Sequence, residues 1–263
     1  MKNKVAVVTA STRGIGRAVV SKLASQGMTV YMAARNEERA KEAIEAYAEL
    51  GQTVKFVYND ATKLDTFKTM IDEVVEAEGH IDVLVNNFGT SDPRLDRDIE
   101  HTASEDFIRF IDINLQSVFI ASQAAISYMK ENNGGSIINI SSIGGSVADI
   151  SQIAYGTSKA AINHMTKMIA VQEGRNNIRC NVVAPGITAT DAVKNNLTED
   201  FQNLFMKHIP IQRMATPEEM ASAVAYFASD EACYTTGQIL EVTGGFGMAT
   251  PVFGDLANSL SSR

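Results

Sequence analysis

Tyr155 and Lys159 stand four residues apart in residues 151–161, SQIAYGTSKAA. On a helix that spacing puts both side chains on one face, a single turn from each other. An ammonium beside a phenol favours the phenolate and draws its pKa of about 10 downward. The phenol then becomes a proton donor and acceptor nearer neutral pH, which carbonyl/alcohol interconversion needs. Taken alone, the same spacing also fits a half-buried ring beside a snorkelling lysine. The elements around the pair must decide.

Residues 5–9 (VAVVT) are a continuous valine-rich run, the pattern of a buried parallel strand. The run enters Ala10, Ser11, Thr12, Arg13, Gly14, Ile15 and Gly16, then a helix with Ile15, Ala18, Val19 and Leu23 at helical spacing. Gly27 closes that helix. Such a joint presents free backbone N–H groups and the positive end of a helix, a site for pyrophosphate. Gly14 and Gly16 let the backbone approach a ligand and the helix pack on the strand, so the loop points to a dinucleotide. The second strand, residues 30–34, stops at Arg35 without the carboxylate that an NAD site usually presents there. Arg35 and Arg13 suit a 2′-phosphate through charge-assisted hydrogen bonds, or are two solvated surface arginines; the cofactor expected is NADP(H).

Strand and helix keep alternating along the chain. A helix over 37–50 and a strand over 54–58 lead to Asn59 and Asp60. A helix over 65–78 and a strand over 83–85 lead to Asn86, Asn87, Phe88 and Gly89. After a polar loop over 91–104, a long helix over 105–130 carries Asn114. A strand over 136–140 reaches Ser141 and Ser142, and the next helix bears Tyr155 and Lys159 and runs to about 173. A strand over 180–184 ends at Pro185 and Gly186. Residues 188–212 form a connection long enough to be a lid. A helix over 217–228 and a strand over 238–242 follow. The fold class expected is α/β: a Rossmann-like, doubly wound parallel sheet with helices on both faces and right-handed crossovers. No repeat or linker interrupts residues 1–263, which read as one domain.

Composition narrows the function. A formal charge of −8 argues against non-specific nucleic-acid binding and against docking on anionic lipid. No apolar run reaches the roughly 18 residues of a membrane span. MKNKVAVVTA passes directly into a strand-like run, without a signal-peptide pattern. Cys180 and Cys233 do not make a disulfide or metal framework. The expectation is a cytoplasmic enzyme without a metal.

Several motifs, in order and across the whole chain, resemble the short-chain dehydrogenase/reductase family. They are TASTRGIG at 9–16, Asn86-Asn87-Phe88-Gly89, Asn114, Ser142, YGTSK at 155–159 and Pro185-Gly186. The resemblance implies that Tyr155 is the general acid in ketone reduction and the base in alcohol oxidation. It implies that Lys159 lowers the pKa of Tyr155 and holds the nicotinamide ribose. Ser142 would hydrogen-bond the carbonyl oxygen where charge develops. Asn114, through a helix bend and a water, would relay protons from Lys159 to solvent. Asp60 and Ala61 would line the adenine, and Asn86, Asn87 and Gly89 the ribose side. Pro185, Gly186, Thr188 and Thr190 would position the nicotinamide amide and the adjacent phosphate. Read from residue type alone, Asn114 is equally a buried hydrogen-bonding asparagine, and Ser142 a strand-end cap. Three positions depart from the family pattern. Ala10 replaces a glycine, which requires a φ below zero there; Phe88 and Thr188 replace smaller and more aliphatic residues.

Longer stretches, STRGIGRA at 11–18, residues 83–90, GGSIINISS at 134–142 and GGFGMATP at 244–251, are most similar to bacterial 7α-hydroxysteroid dehydrogenases. That implies a bile-acid substrate, oxidised or reduced at the 7α position first and the 12-position second. The alternatives are a 3-oxoacyl-[acyl-carrier-protein] reductase and a nucleotide-sensing regulator; the Ser142, Tyr155 and Lys159 set argues against the regulator. Phe246, Met248, Val252 and Phe253 offer an apolar wall for a steroid or packing between subunits. Lys194, Lys207 and His208 are candidate partners for a steroid carboxylate, or unpaired surface charges. The helices around Asn114 and after Lys159 have more apolar surface than one core face needs, which with the resemblance implies a homotetramer.

Overall fold

The valine-rich run forms β1 (Val5–Thr9), buried along its whole length. Its residues alternate between two apolar clusters, because successive side chains of a strand point to opposite faces. Ala6 and Val8 join one cluster, and Val5 and Val7 the other. Helices cover both faces, which is why the strand is apolar throughout rather than alternating.

The computed structural model describes all residues except 2, 192, 194–197, 251, 262 and 263. Beside β1 stand β2 (Thr29–Ala34), β3 (Val54–Tyr58), β4 (Val83–Asn86), β5 (Gly135–Ile140), β6 (Ile178–Pro185) and β7 (Ile239–Val242). They pair in parallel in the order β3-β2-β1-β4-β5-β6-β7. The described helices are α1 (Gly14–Ser25), α2 (Glu37–Glu49), α3 (Thr66–Glu78), α4 (Ser104–Glu131), α5 (Ile153–Glu173), α6 (Glu199–Met206), α7 (Pro217–Ala228) and α8 (Phe253–Ser261). Helices α1, α2 and α7 pack on one face of the sheet, and α3, α4 and α5 on the other. This is the doubly wound α/β arrangement expected.

The strand order reverses between β1 and β4, and such a switch point opens a crevice at the carboxyl ends of the strands. Thr9 and Asn87 meet there: the Thr9 hydroxyl accepts from the Asn87 and Phe88 amides at 2.9 and 3.0 Å. The long parallel crossovers therefore bring residues far apart in sequence to one edge of the sheet.

Two elements differ from the sequence reading. β6 begins at Ile178 rather than 180, because Ile178 pairs with Gly135 and Arg179 with Ser136. The tail, to which the sequence assigned no element, forms α8, and its Asp255 pairs with Lys207 at the end of α6. The long connection contains α6, capped by Thr198, whose hydroxyl accepts from the Phe201 amide at 3.3 Å.

Candidate active site

The Tyr155–Lys159 pair lies in the first two turns of α5, opposite the end of β5. Lys159 is 2% exposed, donates from Nζ to the Ile140 carbonyl at 2.9 Å, and lies 5.5 Å from the centroid of the Tyr155 ring. Burial lowers its pKa from 10.5 to about 8. Ser142 stands two residues beyond the end of β5. Its hydroxyl accepts from the Gly144 amide at 3.1 Å, capping a short turn, and also bonds the Tyr155 hydroxyl. A hydroxyl has one donor and two acceptor sites, so the cap and the phenol contact coexist.

The phenol departs from the sequence expectation. Burial pushes the pKa of Tyr155 up, and the Ser142 hydrogen bond only partly opposes it. The reason is that burial acts on both members of the pair. An ammonium whose pKa is held near 8 has released its proton before a buried phenol titrates, so it gives that titration little charge.

Asn114 is a buried hydrogen-bonding asparagine, as its residue type alone allowed. Helix α4 runs through it without interruption, and the side chain is fully buried. Its Oδ1 accepts from the Thr90 amide at 2.9 Å, while Nδ2 donates to the Thr90 carbonyl at 3.0 Å and the Ser158 hydroxyl at 3.1 Å. The Ser158 hydroxyl donates onward to the Tyr155 carbonyl at 2.7 Å. Asn114 thus ties the loop after β4 to α5. Sequence reasoning missed Ser158, although its place three residues after Tyr155, on the same helix face, could have marked it.

The glycine loop lies at the mouth of the crevice. Ala10 adopts φ +50°, contrary to the expectation of a negative value. The tight turn demands a left-handed residue there, and alanine takes that conformation at a cost. A Cβ on Gly16 would stand 2.6 Å from Asn87 Nδ2 and 2.7 Å from the Ala10 carbonyl oxygen. Asn87 Nδ2 donates to the Thr9 and Ala10 carbonyls at 3.0 and 3.1 Å, so this asparagine holds the loop. Asn86 turns the other way: its Nδ2 donates to Ser122 and Asn139, inside the protein.

These residues fit a dinucleotide. The Ser11 hydroxyl is buried without a hydrogen-bond partner among the described residues. Arg13 at the N-cap of α1 makes no side-chain cap, and the first turn holds no acid, so its amides and positive end are open to an anion. Thr12 and Ile15 are half-buried beside them, and Thr190 comes within contact range of Gly14.

At the end of β2, Arg35 is exposed and its charge helps hold the Asp60 carboxyl below the usual carboxylate range. The larger cause is the Thr62 amide, which donates to Asp60 Oδ1 at 3.0 Å. Ala61 packs against the apolar cluster under β3. Gly89 lies against Lys159: a Cβ there would stand 2.8 Å from Nζ. Pro185 ends β6, and Gly186 packs so closely on Thr243 that a Cβ would fall 2.9 Å from its Cα. Thr188 is buried, with its hydroxyl donating to the Gly186 carbonyl at 3.2 Å.

Of the four apolar tail residues, Phe246 stacks on Phe205 of α6 at 4.5 Å, and Phe253 is half-buried at the start of α8. Met248 and Val252 face solvent, 83% and 53% exposed. Gly247 passes Val147 and Ile143, so the tail crosses the loop just after Ser142. Lys207 is paired with Asp255, His208 adjoins Gly254, and Lys194 lies outside the described residues. Among the described residues no helix is long and apolar enough to cross a membrane.

Comparison with known proteins agrees with this arrangement. A family model described as "Enoyl-(Acyl carrier protein) reductase" matches residues 9–247. The chain is 48% identical over 255 residues to a 7alpha-hydroxysteroid dehydrogenase of Clostridium sardiniense, covering 97% of each chain. It is 45% identical to the Paraclostridium sordellii enzyme of the same name, covering 98% of this chain and 97% of that one. Among solved structures, a 7 alpha-hydroxysteroid dehydrogenase complexed with NADH and 7-oxo glycochenodeoxycholic acid superposes with a TM-score of 0.88. That protein is 31% identical, over 93% of this chain and 94% of its own. With the switch-point crevice, the open amides of α1 and the phenol–lysine pair, these matches place the chain in the short-chain dehydrogenase/reductase family, as an oxidoreductase.

Proposed function

We propose that the chain is an NADP(H)-dependent hydroxysteroid dehydrogenase that acts on a bile acid, with the 7α position as the reacting centre. The observation that carries this reading is the convergence of the Tyr155 hydroxyl, the Ser142 hydroxyl and the Lys159 ammonium at the end of β5. The 48% identity to a 7alpha-hydroxysteroid dehydrogenase over nearly the whole chain supports the steroid class.

The nicotinamide, when bound, supplies the hydride in reduction and accepts it in oxidation. Tyr155 donates its phenolic proton to the carbonyl oxygen as that oxygen becomes an alkoxide, and takes a proton from the hydroxyl in the reverse direction. Ser142 donates a hydrogen bond to the same oxygen, stabilising negative charge where it develops. Lys159, charged at neutral pH, stabilises the phenolate that remains. Arg35 and Arg13 hold the 2′-phosphate, and the loop amides with Ser11 hold the pyrophosphate. Phe205 and Phe246 close the steroid side of the cleft. The exposed Ile108 and Phe119 of α4, with Met168 and Val171 of α5, support assembly of a homotetramer through these helices.

Two assays test the reading together. Chenodeoxycholate should be oxidised with NADP⁺, and acetoacetyl thioesters should be poor substrates; the reverse result would make the protein an acyl-chain reductase. Tyr155→Phe should lower turnover at least about 10²-fold while NADPH still binds. Arg35→Asp should weaken NADPH far more than NADH, and equal losses would overturn the cofactor preference.

A further inference from the structure

Tyr155 is the third residue of α5, at the end of the helix that its own hydrogen bonds do not hold. The first four N–H groups of an α-helix have no partner within it, so the Tyr155 amide is unclaimed by α5. Lys159, one turn on, is inside the ladder. The phenol with the acid–base role thus stands on the part of the helix most prone to fray.

An N-cap side chain usually takes one of these amides. Gln152 does not: it makes no side-chain cap and enters the helix in the left-handed region at φ +59°. The loop after β4 does so instead. Asp96, completely buried, accepts from the Ala154 amide at 2.8 Å through Oδ1 and from the Tyr155 amide at 2.9 Å through Oδ2. The Arg97 carbonyl accepts from the Ile153 amide at 3.1 Å. Ser91 donates to Asp96 Oδ2 at 3.2 Å and accepts from Gln152 Nε2 at 2.9 Å. One loop therefore takes the first three amides of α5.

We propose that Asp96 is a positioning residue for Tyr155. Its carboxylate, oriented by Ser91, fixes the end of α5 and so sets where the phenol stands relative to Ser142 and Lys159. The group suits this place, because two oxygens meet two amides and a negative charge is stabilised at a helix N-terminus. The loop that carries Asp96 is itself clamped at Thr90 by Asn114, which links through Ser158 to the Tyr155 carbonyl. The loop thereby holds Tyr155 directly at its amide, and it connects to the Tyr155 carbonyl through Asn114 of α4 and Ser158 of α5. The proposal rests on the reading of Tyr155 as the acid–base group.

The test compares Asp96→Asn and Ser91→Ala with Tyr155→Phe in the full-length protein, measuring kcat, KM, cofactor dissociation constant and Tm. Asp96→Asn replaces one acceptor by a donor facing an amide and should lower kcat about 10- to 100-fold, as small misplacements of a reacting group do. The cofactor dissociation constant and substrate KM should stay within about twofold, because the glycine loop and lid are untouched. Ser91→Ala keeps both amide contacts but frees the carboxylate to rotate, and should lower kcat by a smaller factor, about threefold. If Asp96→Asn does not fold, Ser91→Ala decides alone. Wild-type kcat in folded variants, or a loss confined to KM or to cofactor binding, overturns the proposal. If those variants are normal while Tyr155→Phe is inactive, only the positioning role falls; if Tyr155→Phe stays active, the acid–base reading falls with it.

Discussion

The Nζ of Lys159 lies between two groups that want it for different reasons: the Ile140 carbonyl at 2.9 Å and the face of the Tyr155 ring at 5.5 Å. The carbonyl is the last of β5, so the sheet itself fixes where the ammonium stands. Among the described residues nothing anionic pairs with it in that position, and its burial lowers its pKa to about 8. A charge is therefore kept where the chemistry needs it and the fold does not.

That conflict is measurable as a function of pH. The folded pKa of Lys159 is below its unfolded value of 10.5, so between about 8 and 10.5 the unfolded chain holds a proton that the folded chain has released. Stability from this group rises with pH across that window and is lost as pH falls through 8. The drop corresponds to roughly 3 kcal/mol at neutral pH. Lys159→Met should abolish turnover yet melt no lower than the wild type at pH 7. Its advantage should shrink between pH 8 and 10 in thermal melts; a gap that does not change with pH would contradict this.

Two glycines near the cleft should fail in different ways. A Cβ on Gly16 meets backbone, the Ala10 carbonyl oxygen at 2.7 Å and Ser11 Cα at 2.8 Å. Gly16→Ala should cost about 1–3 kcal/mol of stability, read from chemical denaturation, and remove dinucleotide binding. A Cβ on Gly89 meets only the tip of Lys159, at 2.8 Å from Nζ. Gly89→Ala should leave Tm within a few degrees while lowering kcat about tenfold or more.

Ala10→Gly is expected to stabilise. Alanine in the left-handed region costs about 1–2 kcal/mol, and glycine removes that cost while adding about 0.4–1 kcal/mol of unfolded-state entropy. A gain of up to about 1.6 kcal/mol should appear in urea denaturation. A destabilised variant would mean that the Ala10 methyl makes contacts worth more than the strain.

The Phe205–Phe246 stack joins α6 to the tail at 4.5 Å with an interplanar angle of 24°. Such a pair contributes about 0.5–1.5 kcal/mol beyond its buried area. Phe246→Ala should raise the substrate KM roughly two- to tenfold and speed limited proteolysis within residues 198–208, with the cofactor dissociation constant unchanged. Faster cleavage elsewhere, with this segment unaffected, would sink the idea that the stack holds the lid.

The sheet was legible in the sequence because each buried parallel strand is a short apolar run, and each glycine or asparagine joint is local. The first strand, the glycine loop and the shared face of Tyr155 and Lys159 all follow from spacings within a few residues. Tertiary structure decided the rest. Asp96 reaches the Tyr155 amide across 59 residues, and no spacing rule links such positions. Neighbouring Asn86 and Asn87 read alike, yet one lies in the core and the other holds the glycine loop, according to which face of the sheet edge each meets. The direction in which the Tyr155 pKa moves depends on burial, summed over every atom packed around the ring, and no run of adjacent letters encodes that sum.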